Sequence, residues 1–194
     1  DARDFDDAVW VKASKAGHSL YVAIADVSHY VTENSAIDED AKQRATSVYL
    51  PGSVIPMLPE ALSNDLCSLV PDQDRFVMVA KIEIDNQGHR KSLEVTKAVI
   101  RSHARLTYKQ VTQMIEAQGE IPIWFQTPLS DMVSCYKNLL ERRQVRGSID
   151  FDFPETKILF NSQGKIDRIV QTERTVAHKL IEEFMLVANE MVAG

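Results

Sequence analysis

Three pairs of β-prone segments, each joined by a short polar turn, constrain the fold of this chain more than any other feature. Each connection contains a glycine, at Gly17, Gly88 and Gly164. The paired segments are 9–11 with 20–25, 76–84 with 92–100, and 158–160 with 166–170. Apolar runs separated by such turns pair as antiparallel hairpins. We therefore expect three hairpins, with antiparallel pairing dominant.

Helical patterns lie between and after these hairpins. The candidate helices are 37–48, 108–117, 129–145 and 173–192. In the last of them, Val176, Leu180, Val187 and Met191 form an apolar stripe, which predicts a well-buried helix. Strands gathered into hairpins and punctuated by helices indicate an α+β fold, with a mixed, mostly antiparallel sheet and packed helices.

The segment 51–71 separates the first two hairpins and holds four of the seven prolines. Because prolines interrupt both helices and strands, we expect an extended loop rather than regular structure. The loop also contains many apolar residues, which predicts that it packs against the core. These are Ile55, Met57, Leu58, Leu62, Leu66 and Leu69.

Length and cysteine usage bound the class of protein. With 194 residues, 44% of them hydrophobic, the chain is long enough to bury one core, and we expect residues 1–194 to form one domain fragment. Cys67 and Cys135 have no second Cys or His at metal-ligand spacing, which favours a reducing compartment such as the cytoplasm. No apolar stretch approaches the roughly 20 residues of a membrane span. Because the first residue is Asp1, we expect a piece of a longer protein.

A net charge of −6 argues against nucleic-acid binding on composition alone, since Lys and Arg supply most phosphate affinity. The objection weakens if carboxylates in this chain hold metal ions, because bound cations reverse the local field. Basic modules elsewhere in a parent protein would weaken it further.

The segment from Asp1 to Asp7 places four carboxylates in seven positions, directly before an apolar strand. In an extended chain, Asp4 and Asp6 project to one side and Asp7 to the other, so convergence requires a bend. Converging carboxylates repel unless a divalent cation lies between them, and magnesium prefers such oxygen ligands. On its own the cluster also fits a solvated acidic turn or a helix cap. It does not fit an EF-hand, since Val9 stands where the turn glycine belongs.

Further motifs follow this cluster in a fixed order along the chain. They are Val22 to Val31, Thr46 to Gly52, Ile55 to Pro59, Leu62 to Leu69, Ser102 to Tyr108, Arg146 to Phe151, and Ala177 to Met185. Together with the acidic segment they resemble the catalytic domain of the ribonuclease II and ribonuclease R family. The ribonuclease R branch is the closer match to the sequence of the acidic segment, which is Asp1-Ala2-Arg3-Asp4-Phe5-Asp6-Asp7.

The resemblance implies a metal site. Asp4, Asp6 and Asp7 match three of the four active-site aspartates of the family, and Asp6 takes the position expected to matter most for cleavage. The family's spacing places the fourth aspartate six residues before Asp4, upstream of residue 1, and a catalytic arginine beyond Gly194. We therefore expect the front part of the catalytic domain, inactive on its own, with Mg²⁺ as cofactor and Mn²⁺ as an alternative.

The resemblance also implies the reaction and the RNA contacts. Family members are processive 3′→5′ hydrolytic exoribonucleases that release nucleoside 5′-monophosphates from the 3′ end of single-stranded RNA. Tyr49 and Phe151 match aromatic residues that contact bases, and Glu182, ahead of Glu183, matches a glutamate that contacts the terminal nucleotide. The alternative to RNA contact for Tyr49 and Phe151 is ordinary packing within the fold. The alternative for Glu182 and Glu183 is that both side chains face solvent.

Other residues in the motifs have simpler interpretations. Asp26 is expected to be structural, hydrogen-bonding the turn after its strand. Four residues are candidate phosphate contacts, although a surface charge is the favoured interpretation of each: Arg44, Arg105, Arg146 and Lys179. The histidines His29, His103 and His178 show no metal-site pattern and are assigned no catalytic role.

Two rival functions remain open on sequence grounds. One is a catalytically silent RNA-binding or regulatory module of the same fold. The other is an acidic domain that binds a divalent ion only for stability. The sequence does not specify RNA preference or oligomeric state.

Overall fold

The computed structural model describes residues 4–50, 53–148, 155–161, 163, 165–172 and 174–194. Within these residues the strands are β1 (Asp7–Ser14), β2 (Gly17–Ala25), β3 (Val48–Leu50), β4 (Ser53–Ile55), β5 (Asp74–Asp85), β6 (Arg90–Arg101), β7 (Glu155–Phe160) and β8 (Ile166–Thr172). The α-helices are α1 (Ala36–Arg44), α2 (Tyr108–Ile115), α3 (Ile123–Val145) and α4 (Val176–Ala193).

The main sheet has four strands in the order β1-β2-β5-β6, all antiparallel to their neighbours. Two smaller sheets are the hairpins β3–β4 and β7–β8. Pro71 and Ser102 form an isolated bridge with parallel pairing. The three predicted hairpins and the α+β class are therefore confirmed. The glycine turn of the first hairpin is required sterically: Gly17 has φ of 143°, and a Cβ there would lie 2.0 Å from the carbonyl oxygen of Ile84.

The helices α3 and α4 cover one face of the main sheet. Val11, Leu20 and Ile82 project from this face into a core that includes Leu139 of α3 and Phe184 of α4. These side chains are at most 4% exposed. Because residues on one face of a strand alternate with those on the other, the opposite face needs a second cover.

A second apolar cluster covers part of the opposite face. Ala23, Ala25 and Val77 of the sheet pack there against Leu62 and Leu69. Phe5, next to the acidic residues, packs against the same cluster. The second core therefore anchors the segment that carries the aspartates.

The helix boundaries differ from the predictions by more than three residues at two places. The first helix ends at Arg44 instead of Val48, because Ala45 adopts φ of 63°, outside the helical region, and the chain then enters β3. The third begins at Ile123 instead of Leu129. Pro128 lies inside that helix, where it removes one main-chain hydrogen bond without ending it.

The proline-rich segment is more regular than predicted. It contains β4 and a single wide helical turn at Leu62–Leu66. Packing against the core is confirmed for Leu62 and Leu69, which are buried, but not for Ile55 and Leu66, which are 51% and 42% exposed. None of the helices in the described ranges is long and apolar enough to span a membrane.

Candidate metal and RNA site

The acidic segment is fixed by main-chain hydrogen bonds on both sides. The carbonyl of Asp6 accepts from the N–H of Ala25 at 2.9 Å, which continues the β1–β2 ladder. On the other side the carbonyl of Phe5 accepts from Leu69 N–H at 2.8 Å, and Phe5 N–H donates to Ser68 Oγ at 3.1 Å. The backbone that carries the carboxylates is therefore held in place by β2 and by the segment that follows the wide helical turn.

Asp4 lies beside the β3–β4 hairpin. The hydroxyl of Tyr49 lies 3.4 Å from Asp4 Oδ2, and Tyr49 is 68% exposed. The charge of Asp4 is the main reason why the pKa of Tyr49 is raised, and burial and the charge of Asp6 add to it. The Tyr49 ring, predicted to contact bases, belongs to the short strand β3.

The charge of Asp7 acts on a different aromatic residue, Tyr108 at the start of α2. Partial burial raises the pKa of Tyr108, and the charge of Asp7 raises it further. The ring of His178 stacks on Tyr108, with a centroid distance of 3.9 Å and an interplanar angle of 21°.

The three carboxylates nevertheless influence one another. The pKa of Asp6 is raised, first by partial burial and then by the charges of Asp4 and Asp7. A cation between them would reverse this repulsion, and an all-carboxylate donor set fits a hard divalent ion. Among the described residues, however, no three His, Cys, Asp or Glu side chains already form a metal-binding group. The assignment of Asp4, Asp6 and Asp7 as metal ligands therefore stays a prediction.

The contact between Tyr49 and Asp4 leads to a spectroscopic prediction. Replacing Asp4 with Asn removes the negative charge that most disfavours the phenolate, so we expect the pKa of Tyr49 to fall toward its ordinary value of 10.0. Ultraviolet difference titration of phenolate absorbance, with Tyr49→Phe to assign the transition, measures this shift. As a control, Asp40→Asn on α1 should leave the transition unchanged. An unchanged Tyr49 transition in Asp4→Asn would contradict the contact.

The structure separates the two adjacent glutamates of α4. Glu183 is 5% exposed and pairs with Arg143 at 2.9 Å, so the solvent-facing alternative is wrong for this residue. Burial raises the pKa of Glu183 in spite of that arginine. Glu182 has a 44% exposed side chain and accepts from the guanidinium of Arg174 at 2.6 and 3.1 Å. Of the two, Glu182 is the accessible one, and its RNA contact stays a prediction.

Two further predictions have different outcomes. The structural role of Asp26 is confirmed: its carboxylate is 4% exposed, accepts from the Ser28 hydroxyl and pairs with Lys97 at 3.1 Å. The hydrogen bond from Ser28 is the largest cause that lowers the pKa of Asp26, and Lys97 contributes after it. Phe151 lies outside the described residues, as does Asp1, so the second predicted base contact stays a prediction.

The candidate phosphate contacts differ in their surroundings. Arg44 pairs with Asp40, and Arg146 pairs with Glu190. Lys179 also makes an interaction of its own. Arg105 instead lies over the ring of Phe5, with its Cζ atom 4.8 Å from the ring centroid.

Sequence reasoning assigned no role to Tyr108 or His178, whose stacked rings join the start of α2 to the first turn of α4. Tyr108 is 46% exposed. His178 is tied to the start of α4, because its Nδ1 atom lies 2.8 Å from the hydroxyl of Thr175. That hydroxyl also accepts from Thr112 of α2 at 2.8 Å. A tyrosine at a helix start gives no signal of its own, since its proximity to Asp7 depends on how α2 packs.

Comparisons with known proteins identify the family and the fold of this chain. The family model described as RNB domain matches residues 1–194. Ribonuclease R of Vibrio parahaemolyticus is 48% identical over 193 residues, and that of Escherichia coli (strain K12) is 45% identical over 193 residues. Each alignment covers 97% of this chain, but only 23% and 24% of the two relatives. The chain thus spans about a quarter of their length.

Solved structures show the same fold. Mycoplasma genitalium RNase R in complex with ribose-methylated single-stranded RNA superimposes with a TM-score of 0.95 at 42% identity, covering 99% of this chain and 30% of that one. Yeast Ssd1, described as a pseudonuclease, has a TM-score of 0.73 at 19% identity over 97% of this chain and 23% of its own, which shows the fold alone. These matches confirm the resemblance inferred from the sequence motifs. The chain belongs to the RNB domain family.

Proposed function

We propose that this chain provides the hydrolytic site of a processive 3′→5′ exoribonuclease, which degrades single-stranded RNA to nucleoside 5′-monophosphates. The isolated chain is expected to be inactive, because the family resemblance places one further aspartate ligand and a catalytic arginine outside residues 1–194. The observation that carries the proposal is the placement of Asp4, Asp6 and Asp7 on a backbone held by hydrogen bonds with Ala25, Ser68 and Leu69, with the exposed ring of Tyr49 beside Asp4.

Asp4, Asp6 and Asp7 would hold Mg²⁺, or Mn²⁺ in its place. When bound, divalent ions activate a water molecule and neutralise charge on the attacking and leaving oxygens of a phosphodiester. The fixed backbone at Phe5 and Asp6 limits the adjustment needed for binding to side-chain rotation. For this reason the absence of a preformed three-residue group among the described residues is compatible with metal binding.

Tyr49, Phe151 and Glu182 would hold the last nucleotides of the strand. Aromatic rings stack on bases without regard to sequence, and each contact is worth roughly 1–3 kcal/mol. The exposed ring of Tyr49 next to Asp4 suits this role, because a base stacked there lies beside the carboxylates. RNA as the substrate is supported by the M. genitalium complexes with single-stranded and double-stranded RNA. The net charge of −6 means that other parts of the parent must supply most of the phosphate affinity.

The products formed by the full-length parent test the proposal. With Mg²⁺ and a single-stranded RNA labelled at its 3′ end, the label should appear at once as a nucleoside 5′-monophosphate. A 5′ label on the same RNA should appear only in a short final product. Chelation by EDTA should stop the reaction, and added Mn²⁺ should restore it. Early release of the 5′ label, or products with a 2′,3′-cyclic phosphate, would contradict the proposal.

A second candidate function is a catalytically silent RNA-binding module. It is favoured by the occurrence of this fold in yeast Ssd1, which is described as a pseudonuclease. A parent that binds the labelled RNA but releases no mononucleotide at any Mg²⁺ or Mn²⁺ concentration would select this candidate.

A further inference from the structure

Arg105 occupies a distinctive position next to the acidic segment. Its guanidinium lies over the ring of Phe5, which stands between Asp4 and Asp6 in the chain. Arginine favours such stacking, because its planar cation is attracted to the face of an aromatic ring. Phe5 is itself held by main-chain hydrogen bonds and by the second core, so the ring is a fixed support for the guanidinium.

The cation of Arg105 has no carboxylate partner in the part of the chain that the structure describes. Apart from Arg142, every other described arginine lies within salt-bridge distance of an Asp or Glu. The side chain of Arg105 is also exposed. An exposed, unpaired guanidinium beside an acidic segment keeps its hydrogen-bond donors available for a ligand.

The start of α2 fixes the stretch of chain that carries Arg105. Thr107, at the N-cap of α2, forms a capping box with Gln110, which fixes where the helix begins. Arg105 lies two residues before this cap, and its guanidinium reaches the ring of Phe5, the residue between Asp4 and Asp6. The contact therefore joins the chain before α2 to the acidic segment.

We propose that Arg105 binds a phosphodiester group of the RNA strand held at Asp4, Asp6 and Asp7, and that Phe5 positions its guanidinium for this contact. The inference rests on the proposed function. A planar guanidinium matches phosphate oxygens with two parallel hydrogen bonds, which a lysine does not reproduce. The contact would also place a positive charge beside an acidic segment that otherwise repels the strand.

The test compares full-length parents that all carry Asp6→Asn, so that RNA is bound without being degraded. Binding of a fluorescent single-stranded 12-mer is measured over a range of salt concentrations. We expect Arg105→Gln to weaken binding about tenfold and to lower the slope of log affinity against log salt by about one. Arg142→Gln is the matched control, because it removes an equally unpaired arginine from the last turns of α3, and it should bind as the starting protein does.

Two further variants separate binding from stability. Arg105→Lys should recover part of the affinity, since it keeps the charge but loses the paired hydrogen bonds. Phe5→Leu keeps an apolar side chain and removes the aromatic support, so it should give a loss smaller than that of Arg105→Gln. The melting temperature of Arg105→Gln should match that of Arg142→Gln. Equal RNA affinity in these two variants would overturn the inference, as would an affinity loss that follows the melting temperature.

The source of the phosphate is tested by competition. If Arg105 binds only a free phosphate group, Arg105→Gln will weaken inhibition by inorganic phosphate or a nucleoside 5′-monophosphate while leaving 12-mer affinity intact, which contradicts the inference. Failure of the inference about Arg105 is distinguishable from failure of the proposed function. A parent that releases mononucleotides but binds RNA equally with and without Arg105 refutes only the role of Arg105. A parent that never releases them refutes the proposed function.

Discussion

Replacing Asp6 with Asn in the full-length parent is expected to lower the rate of RNA hydrolysis by roughly a hundredfold or more. Loss of a residue that merely supports a metal ligand costs about 10–100-fold, so loss of a ligand charge should reach at least the upper end of that range. The substitution changes one oxygen to an amide nitrogen and leaves the size of the side chain nearly unchanged. The carbonyl of residue 6 would still accept from Ala25, so the β1–β2 ladder should persist.

Initial rates of mononucleotide release at saturating Mg²⁺ measure this effect. Asp40→Asn is a suitable control, because it makes the same chemical change on α1, in an exposed ion pair with Arg44. Exposed pairs of this kind contribute little to stability, and the control should retain the starting rate. Full activity in Asp6→Asn would remove the basis of the proposed function.

The largest expected effect on stability comes from Phe184 of α4. Its side chain is 0% exposed and lies in the core between the helices and the main sheet. Truncation to Ala loses the burial of the ring and leaves a cavity, for which the typical cost is about 3–5 kcal/mol of the free energy of unfolding. Urea unfolding followed by circular dichroism measures this difference.

Phe160→Ala is the matched control, since the same truncation is made at a side chain that is 40% exposed on the β7–β8 hairpin. Less apolar surface is lost there and no closed cavity forms, so we expect a cost below about 1.5 kcal/mol. Equal costs at the two positions would mean that Phe184 is not at the centre of the core.

The elements that could be predicted from the sequence are those set by local chemistry. The turns around Gly17 and Gly88 and the apolar stripe of α4 each depend on residues that are close together in the sequence. The structure confirms all three. Strands of three residues such as β3 have too little periodicity to recognise. The order β1-β2-β5-β6 also requires β2 to pair with a strand that begins about fifty residues later, which no local pattern specifies.

The same distinction applies to the site. Asp4, Asp6, Asp7 and Tyr49 belong to motifs that can be compared with a family, whereas the side chains around them depend on packing. No sequence pattern favours Arg105 over Arg44 as a phosphate contact, because only the folded chain brings Arg105 over the ring of Phe5. The different burial of Glu182 and Glu183 likewise depends on which face of α4 meets α3.

Hydrogen bonding on both sides of Phe5 and Asp6 has a consequence for how this protein can change in length. Most exposed segments tolerate gain or loss of a residue. Here the main chain is hydrogen-bonded to fixed neighbours on both sides, since Asp6 pairs with Ala25 and Phe5 pairs with Leu69. Deleting Asp6 would shift the preceding residues by one position against these neighbours, so that side chains now on one side of the strand would move to the other. Natural and engineered variants of this protein should therefore keep the length of this stretch constant and place insertions elsewhere.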